Sequence, residues 1–220
     1  MPPTVIAGAS DMPALMLLRH GPTDWTAAHR LQGRSDVPLS DEGRAVVNGW
    51  RLPESAMSAN WVASPLQRCR ETAAILRQRH RFPGAIGIDA RLIEMSFGEW
   101  EGRTLGALRS THGQAMAELE DRGLDFRAPG GESPRDVQRR LTPWLEEIGA
   151  RDADVLAITH KGVIRALYAV ASGWDMRMKP KDRLTNDAIH VFAIDAEARL
   201  RIECMNVALR PEASLDRRPT

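Results

Sequence analysis

Two apolar runs that each end at a histidine limit what this 220-residue chain can fold into. The first run, residues 15–18, is followed by Arg19 and His20, and the second run, residues 155–158, is followed by a threonine and His160. Short apolar runs bounded by polar residues are typical of strands buried on both faces of a sheet. In open α/β sheets, ligands bind beyond the carboxyl ends of such strands. The pattern therefore predicts that the two histidines lie at one functional edge.

Capping residues and apolar periodicity predict that strands and helices alternate along the rest of the chain. Further strands are predicted at about residues 61–63, 85–89, 189–194 and 200–204, and helices at about residues 40–52, 64–79, 104–121, 133–148 and 162–171. Such alternation favours an α/β fold, a three-layer α/β/α sandwich with a mostly parallel central sheet.

Several helix boundaries follow from single residues. Ser40 and Ser133 are predicted N-caps, and Ser64 is a third, with proline at the first helical position. Pro53 is predicted to end the helix of residues 40–52, and Gly113 interrupts the pattern of the helix of residues 104–121. Residues 21–39 are predicted to form a loop.

Composition narrows the classes of partner. The chain has 30 basic and 29 acidic residues, so bulk charge indicates neither a nucleic-acid nor a membrane partner. Two cysteines are too few for a disulfide framework, and they lack a C-x-x-C spacing, so we expect the protein to be located in the reducing cytoplasm. We expect one domain over residues 1–220, with residues 1–12 a loose leader and residues 210–220 a tail. The sequence leaves the oligomeric state open, and a homodimer is one of the alternatives.

Five residues carry groups suited to phosphoryl chemistry, namely Arg19, His20, Arg68, Glu94 and His160. Guanidinium groups match phosphate geometry, and imidazole nitrogen is a covalent nucleophile near neutral pH. A carboxylic acid nearby could protonate a departing oxygen. The chain has no phosphate-binding G-x-x-x-x-G-K-[ST] loop and no spacing typical of a metal site, so no cofactor and no metal are predicted.

Six motifs in order resemble the histidine phosphatase superfamily, in its phosphoglycerate-mutase-like branch, over almost the whole chain. They are R-H-G-P-T-D-W at 19–25, R-L-Q-G-R-S-D-V-P-L-S at 30–40, S-P-L-Q-R-C-R-E-T-A at 64–73, E-M-S-F-G-E-W-E-G at 94–102, G-E-S at 131–133 and T-H-K-G-V-I-R at 159–165. Each motif alone is a weak signal, whereas the ordered set is specific.

The resemblance implies a role for each residue. His20 would be phosphorylated, while Arg19, Arg68 and His160 would hold the phosphoryl oxygens. Glu94 would be the acid and then the base for water, with Glu99 and Glu101 as rival candidates. The remaining residues implied to line the pocket are Thr23, Gln32 and Gly33.

Two positions depart from the family pattern. Thr26 stands where the family usually has asparagine, and Lys161 where it often has glycine. Thr26 keeps one donor but has a shorter reach than asparagine, and Lys161 is expected either to contact substrate or to face solvent. Both departures leave the transfer chemistry intact and leave the identity of the substrate open. The other four of the six histidines are predicted to have no role in the chemistry.

The resemblance implies an enzyme that hydrolyses a small phosphorylated metabolite through a phosphohistidine. A cofactor-dependent phosphoglycerate mutase is the first alternative, although the short stretch 103–130 favours hydrolysis because it admits water. A non-catalytic phosphate-binding regulatory module is the second alternative.

Overall fold

Residues 12–209 are described by the computed structural model, and their strands form a single sheet. The strands are β1 (Ala14–Arg19), β2 (Asn60–Ala63), β3 (Ile86–Ile88), β4 (Val155–Thr159), β5 (Ala188–Ile194) and β6 (Leu200–Ala208). Their order across the sheet is β3-β2-β4-β1-β5-β6. The predicted tail, and the predicted leader apart from its last residue, lie outside the described residues.

Helices connect most of these strands. The α-helices are α1 (Asp24–Ala27), α2 (Asp41–Gly49), α3 (Glu54–Ser58), α4 (Gln67–His80), α5 (Leu105–Glu120), α6 (Pro134–Gly149) and α7 (Lys161–Ser172). Short 3₁₀ helices cover Ala90–Leu92, Gly98–Trp100 and Gly123–Asp125.

The two strands that end at a histidine are neighbours. β1 and β4 pair in parallel from Leu15 opposite Val155 to Arg19 opposite Thr159. The pairing continues past the strand ends, because the His20 N–H donates to the Thr159 carbonyl at 3.0 Å. β2 and β3 extend the parallel part of the sheet, while β5 and β6 are antiparallel additions at the other side. The carboxyl ends of β1 and β4 therefore meet at one edge, as predicted.

Helices cover both faces of the sheet, which confirms the three-layer sandwich. Leu15 and Leu17 point to the face where α6 and α7 pack, and Met16 and Leu18 point to the face of α2, α3 and α4. All four side chains are fully buried. A strand enclosed by helices on both faces needs apolar residues at every position, which explains the continuous apolar run.

Two of the predicted N-caps are confirmed. The Ser40 hydroxyl accepts the Gly43 N–H at 3.0 Å, and the Ser133 hydroxyl accepts the Asp136 N–H at 3.2 Å. The predicted break in α5 is confirmed too, since Gly113 has φ +48° and ψ −120° inside that helix.

The third predicted N-cap, Ser64, is wrong. α4 begins at Gln67, and its N-cap position is Leu66, whose side chain makes no capping bond. The Ser64 hydroxyl lies instead 2.8 Å from Nε2 of His160. The same hydroxyl also accepts the Leu66 N–H at 3.4 Å, but Leu66 precedes the helix, so this contact does not cap α4.

Two other stretches differ from the predictions. The loop predicted over residues 21–39 contains α1, which Thr23 starts by accepting the Thr26 N–H at 3.1 Å. α2 ends at Gly49, three residues before the predicted end, because Trp50 leaves the helical conformation and is buried. Pro53 then occupies the N-cap position of α3, a helix that the sequence pattern did not predict.

Candidate active site

His20 and His160 lie side by side at the carboxyl edge of the sheet. Their ring centroids are 5.2 Å apart, with an angle of 58° between the ring planes. Both side chains are buried, His20 at 5% exposure and His160 at 0%. Parallel pairing of β1 with β4 produces this pair, because each histidine directly follows its strand.

The His20 ring has a defined orientation. Its Nδ1 is 2.7 Å from the Gly21 carbonyl oxygen. A carbonyl oxygen only accepts, so Nδ1 carries the proton and Nε2 keeps its lone pair. Gly21 is itself fixed, because its N–H donates to the Thr72 hydroxyl at 3.0 Å. Burial, with the charges of Arg19 and Arg68, holds the pKa of His20 well below its ordinary value.

The His160 ring is held by a different contact. Its Nε2 is 2.8 Å from the Ser64 hydroxyl and 3.4 Å from the thiol of Cys69. Burial, followed by the neighbouring His20 and the guanidinium groups, holds the pKa of His160 well below its ordinary value. Both imidazoles are therefore neutral at physiological pH.

Arg68 and Arg19 bring two guanidinium groups to the same edge, and Arg19 is the less buried of the two. Arg68 is fully buried and donates to the Ser35 and Gly33 carbonyl oxygens, each at 2.8 Å. Nε of Arg68 and Nε of Arg19 are buried without a hydrogen-bond partner among residues 12–209. Within the same residues, neither guanidinium forms an ion pair with a carboxylate. Buried donors without partners favour an anionic ligand.

Glu94 is the buried carboxylic acid of this edge, at 7% exposure. Oε1 accepts the Met95 N–H at 2.8 Å, and Oε2 accepts the Gly162 N–H at 3.2 Å. Burial raises the pKa of Glu94, although these two N–H groups and the charges of Arg68 and Arg19 act in the opposite direction. A raised pKa suits a group that must donate a proton near neutral pH.

The two rival carboxylates are placed differently. Glu99 is exposed, in the 3₁₀ helix that follows Phe97. The Glu101 carboxylate accepts the backbone N–H groups of Arg34, Ser35 and Phe97 at 2.8–3.2 Å. Glu101 therefore holds the loop after Gly33 in place, and its oxygens are already engaged.

Three of the predicted pocket residues form one hydrogen-bonded group. Thr26 Oγ1 is 3.1 Å from Thr23 Oγ1 and accepts the Gln32 amide at 3.0 Å. Gln32 Oε1 is buried and lacks a partner within residues 12–209. Gly33, with φ +52°, presents its carbonyl to Arg68. The Thr26 hydroxyl thus connects Thr23 with Gln32.

Lys161 lies at the start of α7, directly after His160, and is exposed. Partial desolvation, followed by the charges of Arg19 and Arg165, lowers its pKa. Its side chain and that of Arg19 line the same narrow cleft. The contacts of the ten predicted site residues form two groups: Arg19, His20, Glu94, His160 and Lys161 at the ends of β1 and β4, and Thr23, Thr26, Gln32, Gly33 and Arg68 in the loop after β1 and the start of α4.

Two residues that support the site were not identified from the sequence. Ser64 was assigned to a helix cap, although its hydroxyl contacts His160. Glu132 had no assigned role, yet it accepts the Ser96 N–H at 3.1 Å and pairs with Arg34 at 2.8 Å. The G-E-S motif marked Glu132 as notable, but nothing local showed which segments it joins.

Comparison with known proteins agrees with this geometry. A family model, the histidine phosphatase superfamily (branch 1), matches residues 15–207. A glucosyl-3-phosphoglycerate phosphatase from Mycolicibacterium vanbaalenii is 35% identical over 170 residues, covering 72% of this chain and 74% of the relative. A probable phosphoglycerate mutase, GpmB, from Escherichia coli is 31% identical over 180 residues, covering 79% of this chain and 81% of the relative.

The fold is also similar to solved structures. A mycobacterial glucosyl-3-phosphoglycerate phosphatase complexed with VO3 superposes with a TM-score of 0.73 at 26% identity. That match covers 89% of this chain and 100% of the other. The predicted fold and the predicted class of enzyme, a phosphatase acting on phosphate monoesters, are confirmed. With its paired histidines at the edge of an α/β/α sandwich, the chain belongs to the histidine phosphatase superfamily (branch 1).

Proposed function

We propose that the chain hydrolyses a small phosphorylated metabolite through a phosphohistidine on Nε2 of His20. The observation that supports this most directly is the 2.7 Å contact between Nδ1 of His20 and the Gly21 carbonyl. It keeps the proton on Nδ1, so the other ring nitrogen is a nucleophile. Arg19, Arg68 and His160 supply the positive and polar surroundings that a phosphoryl group requires.

In the first step, Nε2 of His20 attacks phosphorus and a nitrogen–phosphorus bond forms as the ester oxygen–phosphorus bond breaks. Guanidinium donors stabilise the charge on the phosphoryl oxygens. Glu94 gives its proton to the departing oxygen, which leaves as an alcohol. General acid catalysis of this kind contributes roughly 10²–10⁴-fold in rate.

In the second step, water takes the place that the alcohol has left. The water oxygen attacks phosphorus, and Glu94, now a carboxylate, accepts a proton from this water molecule. The nitrogen–phosphorus bond breaks, phosphate is released, and both His20 and Glu94 return to their starting protonation states.

The relatives suggest where a substrate search starts. Two of them carry names with phosphoglycerate, one a phosphatase and one a probable mutase. We therefore propose small phosphate esters as substrates, with phosphoglycerate-like acids and sugar phosphates first in the panel. The short stretch between Arg103 and Gly130 supports hydrolysis over mutase activity, because little chain is available there to exclude water.

The test is a labelling experiment with a ³²P-labelled phosphomonoester, quenched in alkaline denaturant because phosphohistidine is unstable in acid. Wild-type protein should show label on the chain and release phosphate. The His20→Ala variant should lose both label and turnover, while His80→Ala, a half-buried histidine of α4, should keep both. Equal turnover by His20→Ala and wild type would refute the proposal.

The same preparation separates the two alternatives. A cofactor-dependent mutase would interconvert 3-phosphoglycerate and 2-phosphoglycerate when 2,3-bisphosphoglycerate is added, with little phosphate release. A binding module would bind phosphate but would not turn over p-nitrophenyl phosphate. Our proposal requires phosphate release without any added bisphosphate.

A cytoplasmic location and a homodimer remain proposals. Cys69 and Cys204 are both free thiols, which supports a reducing compartment. Among residues 12–209, no helix has the length and apolar character needed to cross a bilayer. Fractionation of the native cells tests the location, and light scattering of the purified chain tests the oligomeric state. In a gel-shift assay, the purified chain should not bind DNA or RNA.

A further inference from the structure

The proposed acid, Glu94, lies in a short segment, residues 91–96, that has little regular structure of its own. Its first two residues belong to the 3₁₀ helix that ends at Leu92, and neither a strand nor an α-helix covers the other four. The backbone groups of such a segment need partners from side chains or from other parts of the chain. The position of the acid therefore depends on which groups hold this segment.

An arginine of α6 holds the segment at two points before Glu94. Arg140 donates through Nη1 to the Arg91 carbonyl oxygen and through Nη2 to the Ile93 carbonyl oxygen. The Ile93 carbonyl belongs to the peptide unit that directly precedes Glu94, and a peptide unit is planar. Arg140 therefore fixes the orientation of the chain at the point where it enters Glu94.

Glu132 holds the same segment at two points after Glu94. The Glu132 N–H donates to the Ser96 carbonyl at 2.9 Å, and its Oε2 accepts the Ser96 N–H at 3.1 Å. Oε1 of Glu132 accepts a hydrogen bond from Nε of Arg140 at 3.3 Å. The two side chains thus form one connected unit, the Arg140–Glu132 clamp, with contacts on both sides of the acid.

The clamp has the chemical properties that positioning requires. The Arg140 side chain is 18% exposed and that of Glu132 is 19% exposed, so their hydrogen bonds form where the dielectric constant is low and such bonds are stronger. Each of the three guanidinium nitrogen atoms of Arg140 has a partner in the clamp or the segment. A planar guanidinium fixes direction as well as distance, which a lysine ammonium does not.

We propose that Arg140, supported by Glu132, is a positioning residue for the acid Glu94. The inference rests on the proposed function, because it takes Glu94 as the group that protonates the departing oxygen. Without the clamp, the hydrogen bond from the Thr159 hydroxyl to the Leu92 carbonyl at 2.8 Å still ties the segment to β4. The expected defect is therefore a displaced carboxyl group in a folded chain, and it affects only leaving groups that need a proton.

The experiment compares a substrate that needs the acid with one that does not. Glycerol 3-phosphate must release an alcohol, whereas p-nitrophenyl phosphate releases a phenolate that is stable without a proton. The rate of phosphohistidine formation is measured by rapid quench with each substrate labelled with ³²P. A displacement of about 1 Å can cost roughly 100-fold, so Arg140→Met should slow labelling by glycerol 3-phosphate about 10-fold to 100-fold. Labelling by p-nitrophenyl phosphate should slow by less than about three-fold.

Two further variants make the comparison specific. Arg139→Met is the matched control, because Arg139 is the adjacent arginine of α6, is 67% exposed and pairs with Asp136 of its own helix. It should label like wild type with both substrates. Arg140→Lys keeps the charge but loses the planar guanidinium, so it should show the same selective loss as Arg140→Met. Full recovery in Arg140→Lys would overturn the inference, because charge alone would then be sufficient.

The ratio of the two labelling rates is measured on one sample, so a smaller folded fraction lowers both rates equally and leaves the ratio unchanged. An equal loss with both substrates in Arg140→Met and Arg140→Lys would show that the clamp serves folding alone, and the inference would be wrong.

A double-mutant cycle tests whether Arg140 acts through Glu94. In the Glu94→Gln chain the acid is absent, so adding Arg140→Met should slow labelling by glycerol 3-phosphate by less than about two-fold further. Losses that multiply would contradict the inference. The proposed function fails in a different way, by the absence of label in the wild-type chain, and its choice of acid fails if Glu94→Gln labels like wild type.

Discussion

Nε2 of His160 lies 2.8 Å from the hydroxyl of Ser64, and both side chains are fully buried. Ser64 directly follows β2, and His160 directly follows β4, so this contact joins the ends of two neighbouring strands. This contact fixes the orientation of the His160 ring. We therefore expect Ser64 to act as a positioning residue for His160.

Replacing Ser64 by alanine should lower kcat about 3-fold to 10-fold, because one hydrogen bond contributes roughly 0.5–1.5 kcal/mol. KM should change less, since both guanidinium groups remain in place. Steady-state kinetics give the two constants separately. Ser58→Ala, an exposed serine in α3, is the control and should match wild type. An unchanged kcat in Ser64→Ala would show that this bond does not serve catalysis.

Glu94→Gln should lower kcat for alkyl phosphates by roughly 10²–10⁴-fold, because the departing alkoxide loses its acid. Formation of the labelled intermediate from p-nitrophenyl phosphate should be affected less, since that leaving group needs no proton. Glu99→Gln should behave as wild type, because Glu99 is exposed. If Glu94→Gln is unimpaired and Glu99→Gln or Glu101→Gln is inactive, the acid is another residue.

The pH dependence of kcat/KM should reflect opposite shifts in two groups. The pKa of His20 is lowered, so its Nε2 stays unprotonated below pH 6.5 and activity persists into mildly acidic solution. The pKa of Glu94 is raised, so the acid keeps its proton above the ordinary carboxyl range and activity declines as pH rises through that pKa. A pH series with wild type and Glu94→Gln checks this. Persistence of the alkaline decline in the variant would assign it to another group.

Gly162→Ala should disturb Glu94 without removing it. A Cβ at Gly162 would lie 2.4 Å from Oε1 of Glu94, too close for contact without displacement of the carboxylate. A displacement of about 1 Å can cost roughly 100-fold, so we expect kcat to fall 10-fold to 100-fold. Gly106→Ala is the control, because a Cβ there meets nothing within 4 Å. It lies in α5 and should stabilise the fold by about 0.5–1 kcal/mol.

Thermal stability should fall in acid because two buried histidines cannot easily accept protons. The folded-state pKa values of His20 and His160 lie well below 6.5, near which the unfolded chain titrates. Below pH 6.5 the unfolded chain therefore binds more protons, and the free energy of unfolding decreases. Melting curves between pH 5 and pH 8 measure the slope. The double variant His20→Gln, His160→Gln should have a shallower slope, and an identical slope would contradict this account.

Local sequence signals were reliable where a residue acts on its own neighbours. Ser40 and Ser133 cap the helices that follow them, and Gly113 breaks α5, because each effect depends on atoms only a few residues away. Ser64 has the same local pattern, but α4 begins three residues after it, and its hydroxyl contacts His160 at the end of another strand. Ser64 and His160 lie 96 residues apart, so this contact is not visible in the local sequence.

The choice of carboxylate also required the folded structure. Glu94, Glu99 and Glu101 lie within eight residues, and sequence alone could not assign their environments. Packing buries Glu94 and leaves Glu99 exposed. The Glu101 carboxylate accepts backbone N–H groups from a loop that is distant in the sequence. Burial raises the pKa of Glu94, and burial is a property of the assembled layers.

The sequence by itself determined the sheet-forming runs, the histidines that end them and the family, because these depend on residue order and short-range periodicity. Tertiary structure decided how the two histidine rings are oriented and which of their nitrogen atoms are free to react. Parallel pairing of β1 with β4 brings the two rings to 5.2 Å, and contacts with Gly21 and Ser64 orient them. Orientation and desolvation arise from contacts between residues far apart in the chain, so only the folded chain contains them.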